Sequence, residues 1–107
     1  MTTFDKREAG FEKKFAVDEE LKFKAQARRN KLLGLWVADQ LGITGDAAKA
    51  YANEVVVADF EEAGGAGVMH KVTRDLHAKG VAITEQQIHH KMDELFAQAA
   101  AQLKSGI

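Results

Sequence analysis

The side chains of this chain that could bind a metal ion or transfer protons are, first of all, its histidines: His70, His77, His89 and His90. His70 and His77 would be roughly 10 Å apart along a helix, which is too far for both to bind one metal ion. His89 and His90 are adjacent and would point in different directions, each able to pair with a carboxylate one turn further on. This pattern is typical of surface histidines and predicts no metal site.

Residues that serve as catalytic nucleophiles are almost absent. The chain has no cysteine, and its one serine, Ser105, is close to the C-terminal end. The glycine-rich run at residues 64–67, which precedes Lys71, does not match the spacing of a phosphate-binding loop, and no strand comes before it. We interpret the run as a loop between helices. The sequence therefore predicts no catalytic residues, no cofactor and no enzyme.

Length and composition favour a single small all-α domain. A chain of 107 residues, 46% of them hydrophobic, can bury one core of modest size. Proline is absent, so only the nine glycines interrupt helices. The lack of cysteine is typical of a reducing compartment, and no apolar run approaches the roughly 20 residues of a membrane span. We expect a cytoplasmic protein that does not insert into a membrane.

Hydrophobic periodicity predicts four helices with short connections, packed as a four-helix bundle over residues 18–107 with a long first helix. Thr84 and Gln87 have the spacing of a capping box, and Ile83 and Ile88 that of a hydrophobic staple. Asp18 can act as N-cap of the first helix. The predicted helices run from Asp18 to about Leu41, from Thr44 to Glu62, from about Val68 to Lys79, and from Thr84 to Ser105.

Two residues of the first helix carry predictions about packing. Gly34 is in its apolar half, where a glycine costs stability unless another backbone comes close, so we expect a neighbouring helix to cross there. Trp36 is expected to be buried between helices beside this crossing. In the second helix the apolar stripe assigned to the core comprises Ala48, Tyr51, Ala52, Val55, Val56 and Phe60.

Residues 1–17 form a region with a pattern of its own. Phe4, Phe11 and Phe15 have spacings of seven and four, which puts three rings on one side of a potential helix, too few to build a core. Gly10 weakens that helix. We interpret the segment as a flexible or helical extension that is partly disordered when free. The charged residues among the rings are Asp5, Lys6, Arg7, Glu8, Glu12, Lys13 and Lys14.

The charge distribution indicates a protein partner rather than a nucleic acid. Nine Lys/Arg against six Asp/Glu give residues 1–31 a net charge of +3, and the remainder of the chain carries −4. Lys24, Arg28 and Lys31 could face phosphates, but a pI near 6.4 gives no broad positive surface. Pairs such as Glu20 and Lys24 also permit a simpler interpretation, a solvated helix stabilised by its own ion pairs.

The segments FDKRE, ARRNKLLGLW, YANEVV, DFEEAG, DLHAKG and MDELFAQA follow one another along nearly the whole chain. In this order and spacing the chain resembles the zeta subunit of alphaproteobacterial ATP synthase, a small intrinsic ATPase inhibitor. The resemblance implies a four-helix protein, monomeric when free, whose N-terminal segment inhibits the catalytic head of the synthase on the cytoplasmic side of the inner membrane. This chain departs from the relatives at Gly65-Ala66-Gly67, because the corresponding loop of the relatives is often acidic.

The resemblance and the aromatic spacing together assign a partner-binding site to residues 1–17. Phe4, Phe11 and Phe15 would be its anchors, laid into a groove of the partner as an amphipathic helix. The basic residues that would meet acidic groups of the partner are Lys6, Arg7, Lys13 and Lys14. The leading hypothesis is an inhibitor that inserts this helix between catalytic subunits. The alternative is a helical module that senses a small ligand or binds nucleotide weakly, and docks on the synthase without strong inhibition.

Overall fold

The computed structural model describes the backbone of residues 2–62 and 66–106, and side chains within these ranges from residue 19 onward. In this part of the chain the elements are four α-helices: α1 (Thr2–Gln40), α2 (Gly45–Glu61), α3 (Ala66–Ala78) and α4 (Glu85–Lys104). The predicted all-α four-helix bundle is confirmed. Helix α1 packs most extensively against α2 and α4, and α3 lies against α2.

Helix α1 begins sixteen residues before the predicted start. It runs without a break from Thr2, so Asp18 lies inside the helix and is not its N-cap. The sequence offers no proline to stop the helix, and an ion pair of 3.2 Å between Glu20 Oε1 and Lys24 Nζ supports it one turn beyond Asp18. A helix of 39 residues is about 58 Å long, close to the 62 Å longest dimension of the molecule.

The start of α4 agrees with its sequence signals. The backbone N–H of Gln87 donates to Thr84 Oγ1 over 3.1 Å, and the backbone N–H of Thr84 donates to Gln87 Oε1 over 2.9 Å, so the predicted capping box is confirmed. Ile88 is fully buried, and Ile83 packs against the same core. Thr44 is N-cap of α2 with extended backbone, but its side chain makes no capping hydrogen bond.

The core lies between α1 and the other three helices. At Gly34 of α1 an added Cβ would be 2.5 Å from the Cα of Ala52 in α2, so the predicted helix crossing at this glycine is confirmed. Gly67 of α3 makes a similar approach, since a Cβ there would overlap the carbonyl oxygen of Ala58 in α2. The main core cluster comprises Leu33, Val37, Ala38, Leu41, Tyr51, Val55, Val68, Met69, Val72, Leu76, Ile88, Met92 and Leu95.

Two expectations about the core are wrong. Trp36 is only partly buried at the edge of the core, where Lys91 Nζ of α4 lies 5.6 Å from the centre of its ring. Phe60 is 71% exposed and lies outside the core. The buried residues of α2 cluster around Val55, and at 3.6 residues per turn Phe60 is about 140° around the helix from Val55. Phe60 instead follows Val56 by four residues, so these two side chains form a second apolar stripe beside the buried one.

Candidate partner-binding helix

Helix α1 leaves the bundle at its N-terminal end. Residues 19–24 are exposed except for Leu21, which is partly buried, and the first buried side chain described along α1 is that of Ala25. Because the same helix continues back to Thr2, more than 20 residues of α1 precede Ala25, about 34 Å of helix. The fold thus presents a long helical extension beside a compact core.

The seven sequence-predicted site residues are all in this extension. The backbone of each is part of α1, and the interval from Phe4 to Phe15 corresponds to about 16 Å along the helix. Their side chains lie outside the described residues, so their role in binding stays a prediction. These residues are Phe4, Lys6, Arg7, Phe11, Lys13, Lys14 and Phe15.

A buried polar network fixes α1 where it enters the bundle. The side chain of Asn30 in α1 donates to Asp59 Oδ2 in α2 over 3.0 Å, and its Oδ1 accepts from Nε and Nη2 of Arg29 at 3.2 and 2.9 Å. Only 1% of Asn30 is exposed. Burial lowers the pKa of Arg29 below its usual value, while the charges of Asp59 and of Asp93 in α4 act in the opposite direction. The hydrogen bonds of the network therefore link α1 to α2.

A hydrogen bond to α4 lies nearby on α1. Arg28 Nη1 donates to Oε1 of Gln102, close to the C-terminal end of α4, over 3.5 Å. Among the described residues no buried side-chain nitrogen or oxygen lacks a hydrogen-bond partner. Since an unpaired buried polar group costs about 1–3 kcal/mol, these networks favour one angle of α1 relative to the bundle. The direction in which the extension points is set by residues of the bundle.

An exposed aromatic surface adjoins this junction. Phe23 of α1 is 62% exposed and Phe60 of α2 is 71% exposed, and both line a small depression between the two helices. Beside it runs a shallow groove of about 550 Å³, to which α4 contributes Leu103. We call this the Phe23–Phe60 surface; its apolar residues are Phe23, Ala27, Val56, Phe60 and Leu103, and its basic rim is Lys24, Arg28 and Lys31.

Sequence reasoning missed this surface. The helical spacing predicts Phe60 in the core and predicts no role for Phe23. The signal that could have found Phe23 is its position between Lys22 and Lys24, an aromatic ring within the charged half of the helix. Where the neighbouring helices lie decides whether such a ring is covered, and the sequence does not give that directly.

A different polar cluster joins α2 to α3. The hydroxyl of Tyr51 donates to Asp75 Oδ2 over 2.7 Å, and Lys71 Nζ lies 3.2 Å from the same oxygen and 3.4 Å from Glu54 Oε2. Partial burial acts to raise the pKa of Asp75, but hydrogen bonds from Tyr51 and Lys71 and the charges of Lys71 and Arg74 outweigh it, so the pKa lies below its ordinary value. Burial and the bond to Asp75 raise the pKa of Tyr51.

The groove between α2 and α3 has a volume of about 310 Å³ and mixed charge. His70 Nδ1 lies 3.2 Å from Glu62 Oε2, and Lys71 pairs with Glu54 across the groove. Its charged lining residues are Glu54, Glu61, Glu62, His70, Lys71 and Arg74. Three carboxylates therefore face the cations of Lys71 and Arg74 and the imidazole of His70.

In the described part of the chain, no group of three or more His, Cys, Asp or Glu side chains is arranged to hold a metal ion. No helix described here is both long enough and apolar enough to span a membrane.

Comparison with known proteins identifies the family. The family model described as ATPase inhibitor subunit zeta matches residues 1–102, which include all of α1 and nearly all of the bundle. The chain belongs to this family. The resemblance of the sequence to the zeta family is thereby confirmed. Membership of this family indicates an ATPase inhibitor subunit.

A solved structure is similar to this chain in both sequence and fold. The chain is 54% identical to a protein whose solution NMR structure is known, with a TM-score of 0.71. The similarity covers 81% of this chain and 99% of the other. The comparison with curated proteins gave no match.

Proposed function

We propose that this zeta-family chain inhibits ATP hydrolysis by the catalytic head of the ATP synthase, by inserting the N-terminal part of α1 between catalytic subunits. The observation that carries the proposal is the continuity of α1, which runs from Thr2 to Gln40 while its described core contacts begin only at Ala25. A helix that is anchored at one end and leaves the bundle at the other can enter a neighbouring protein without loss of the bundle core.

The dimensions of the molecule favour a mechanism in which the helix enters the head and the bundle stays outside. A single helix is about 10–12 Å wide, whereas the molecule measures 26 × 22 Å across its long axis. A slot between subunits that admits the helix therefore excludes the bundle, which limits the depth of insertion. The Arg29, Asn30 and Asp59 network keeps the helix and the bundle at one angle, so rotation of the head would meet a fixed obstacle.

The residues assigned to contact the head are those of the sequence prediction. Phe4, Phe11 and Phe15 would fill apolar pockets, because binding energy concentrates in a few buried aromatic residues. Lys6, Arg7, Lys13 and Lys14 would meet acidic groups and steer the encounter. In this proposal the chain acts as a monomer on the cytoplasmic side of the membrane-bound synthase.

The alternative, a nucleotide-sensing module, would use the groove between α2 and α3. There Lys71 is paired with Glu54 and the imidazole of His70 lies against Glu62, so a polyphosphate would have to displace carboxylates to reach either side chain. The charges of the groove therefore do not favour nucleotide, and weak nucleotide binding stays a prediction from the resemblance.

The direct test measures ATP hydrolysis by the isolated catalytic head with increasing amounts of the protein. We expect the rate to fall to a low plateau at saturation. The matched control is the triple variant Phe4→Ala, Phe11→Ala and Phe15→Ala, which should keep the circular dichroism of the bundle and lose most of the inhibition. An unchanged rate at saturating wild-type protein, with binding shown independently, would leave only a docking module.

A further inference from the structure

We propose that the Phe23–Phe60 surface is a second binding surface for the catalytic head and takes an amphipathic helical segment of the head that carries Asp or Glu beside its apolar ridge. This inference rests on the proposed function, because it names a further contact with the same partner. It places part of the interface on the bundle itself, beyond the seven residues assigned from the sequence.

The apolar part of the surface is exposed at a cost. Phe23 and Phe60 are two of the three large hydrophobic residues that are strongly exposed among those the structure describes, and they line one depression. Val56, Ala27 and Leu103 extend the apolar area onto α4. A contiguous apolar patch with a polar rim is a common mark of a protein interface, whereas single exposed hydrophobic residues are ordinary.

The charge of the rim defines the occupant. The depression beside the two rings contains Asp59, which accepts a hydrogen bond from Asn30, and Lys24 pairs with Glu20 outside the groove. Lys24, Arg28 and Lys31 follow one another at one-turn spacing along α1, and every charged residue that lines the 550 Å³ groove is basic. This differs from the groove between α2 and α3, where carboxylates and cations are mixed. A segment with acidic flanks would gain favourable charge contacts here, and a basic segment would be repelled.

The position of the surface links it to the proposed inhibitory segment. Phe23 follows Phe15 by eight residues of one continuous helix, about 12 Å along the axis. A head that holds the extension is thus already close to the Phe23–Phe60 surface, so the second contact forms at high effective concentration. The two contacts together would hold the bundle against the outside of the head.

The test uses the full chain and the isolated catalytic head. The double variant Phe23→Ala and Phe60→Ala should raise the Kd for the head about 10- to 100-fold, as expected for loss of two aromatic contacts. It should still inhibit fully at saturation, because the extension is intact. Val57→Ala is the matched control: Val57 is 51% exposed on α2 but lines the other groove, and the change in Kd should stay under about twofold.

Photo-crosslinking identifies the occupant. The chain has no cysteine, so Phe60→Cys gives a single thiol for a benzophenone maleimide label. We expect crosslinks to a peptide of the head with Asp or Glu at one-turn spacing. Lys31→Glu should slow association at low salt and have little effect at high salt.

The outcomes separate this inference from the proposed function. If wild-type protein inhibits and Phe11→Ala weakens binding while the Phe23/Phe60 double variant binds like wild type, only the second surface is wrong. If wild-type protein neither binds nor inhibits, the proposed function fails first. Sedimentation that shows a dimer of the free chain, lost in the double variant, would assign the surface to a second copy and overturn the proposal.

Discussion

Asn30 in α1 donates a hydrogen bond of 3.0 Å to Asp59 in α2, although 29 residues separate the two in the sequence. The same amide accepts two hydrogen bonds from Arg29. One buried side chain therefore holds a cation and a carboxylate at the point where the extension of α1 joins the bundle. Its loss should lower the stability of the bundle and loosen the angle of α1 relative to it.

Asn30→Ala should destabilise the bundle by about 2 kcal/mol, because it removes a buried amide that is hydrogen-bonded to both Arg29 and Asp59, two side chains that are themselves only partly buried. Urea unfolding followed by circular dichroism measures the change. Asn53→Ala, at an exposed position of α2, is the control and should stay within about 0.5 kcal/mol of wild type. Equal unfolding of the two variants would show that the network contributes little.

Removal of residues 1–17 should leave the bundle folded. The described core begins at Ala25, so the truncated chain keeps the residues that form it. We expect cooperative thermal unfolding with a midpoint within a few degrees of wild type, which corresponds to about 1 kcal/mol or less. The truncated chain should also lose inhibition. Non-cooperative melting would instead assign the segment to the core.

The bundle should lose stability in acid partly through Asp75. Its pKa in the folded protein lies below the ordinary value of 3.8, so its contribution is complete above that value and disappears as the pH falls through the lower, folded pKa. Urea unfolding at pH values from 2 to 6 measures this slope. Asp75→Asn should reduce it, and an unchanged slope in this variant would assign the acid loss to other groups.

Tyr51 should produce the opposite trend in alkali. Its pKa is raised in the folded state, so the neutral phenol that donates to Asp75 stabilises the bundle below pH 10, and this contribution declines as the pH rises above 10. Tyr51→Phe keeps the ring and should remove that part of the alkaline decline. An unchanged alkaline slope in Tyr51→Phe would assign the decline to other groups.

The two kinds of residue in the predicted inhibitory site should affect different rate constants. Phe4→Ala, Phe11→Ala and Phe15→Ala should each raise the dissociation rate constant from the catalytic head. Where the ring is an anchor, the binding free energy should weaken by about 2 kcal/mol. Lys6→Glu, Arg7→Glu, Lys13→Glu and Lys14→Glu should mainly slow association, and less so at high salt. Surface plasmon resonance with the immobilised head separates the rates. Phenylalanine variants that bind normally but unfold more easily would be core residues.

Local sequence signals gave the features of this fold that depend on neighbours along the chain. The capping box of Thr84 and Gln87 needs only three residues of spacing, and the close approach at Gly34 follows from a glycine placed among large apolar residues. The predicted start of α1 is wrong because aspartate is a good N-cap only where a helix begins. At Asp18 the helix already continues, and it has no free N–H groups for the carboxylate to bind.

Features that depend on distant residues were not accessible in the same way. The exposure of Phe60 and the partial exposure of Trp36 are set by where α3 and α4 lie, and the partner of Asn30 is on another helix. The predicted partner-binding residues of the extension were obtained from spacing and family resemblance together. Their function depends on a surface that belongs to the catalytic head, so neither the sequence nor the fold of the free chain specifies it.

Trp36 is the one tryptophan of the chain and lies at the edge of the core beside Lys91, well inside the bundle end of α1. Its fluorescence therefore reports on the packing of α1 against α4 and is insensitive to the first 17 residues, more than 25 Å away along the helix at about 1.5 Å per residue. Emission from Trp36 that stays constant while the head binds, and shifts only on denaturation, would show that the bundle remains intact during inhibition.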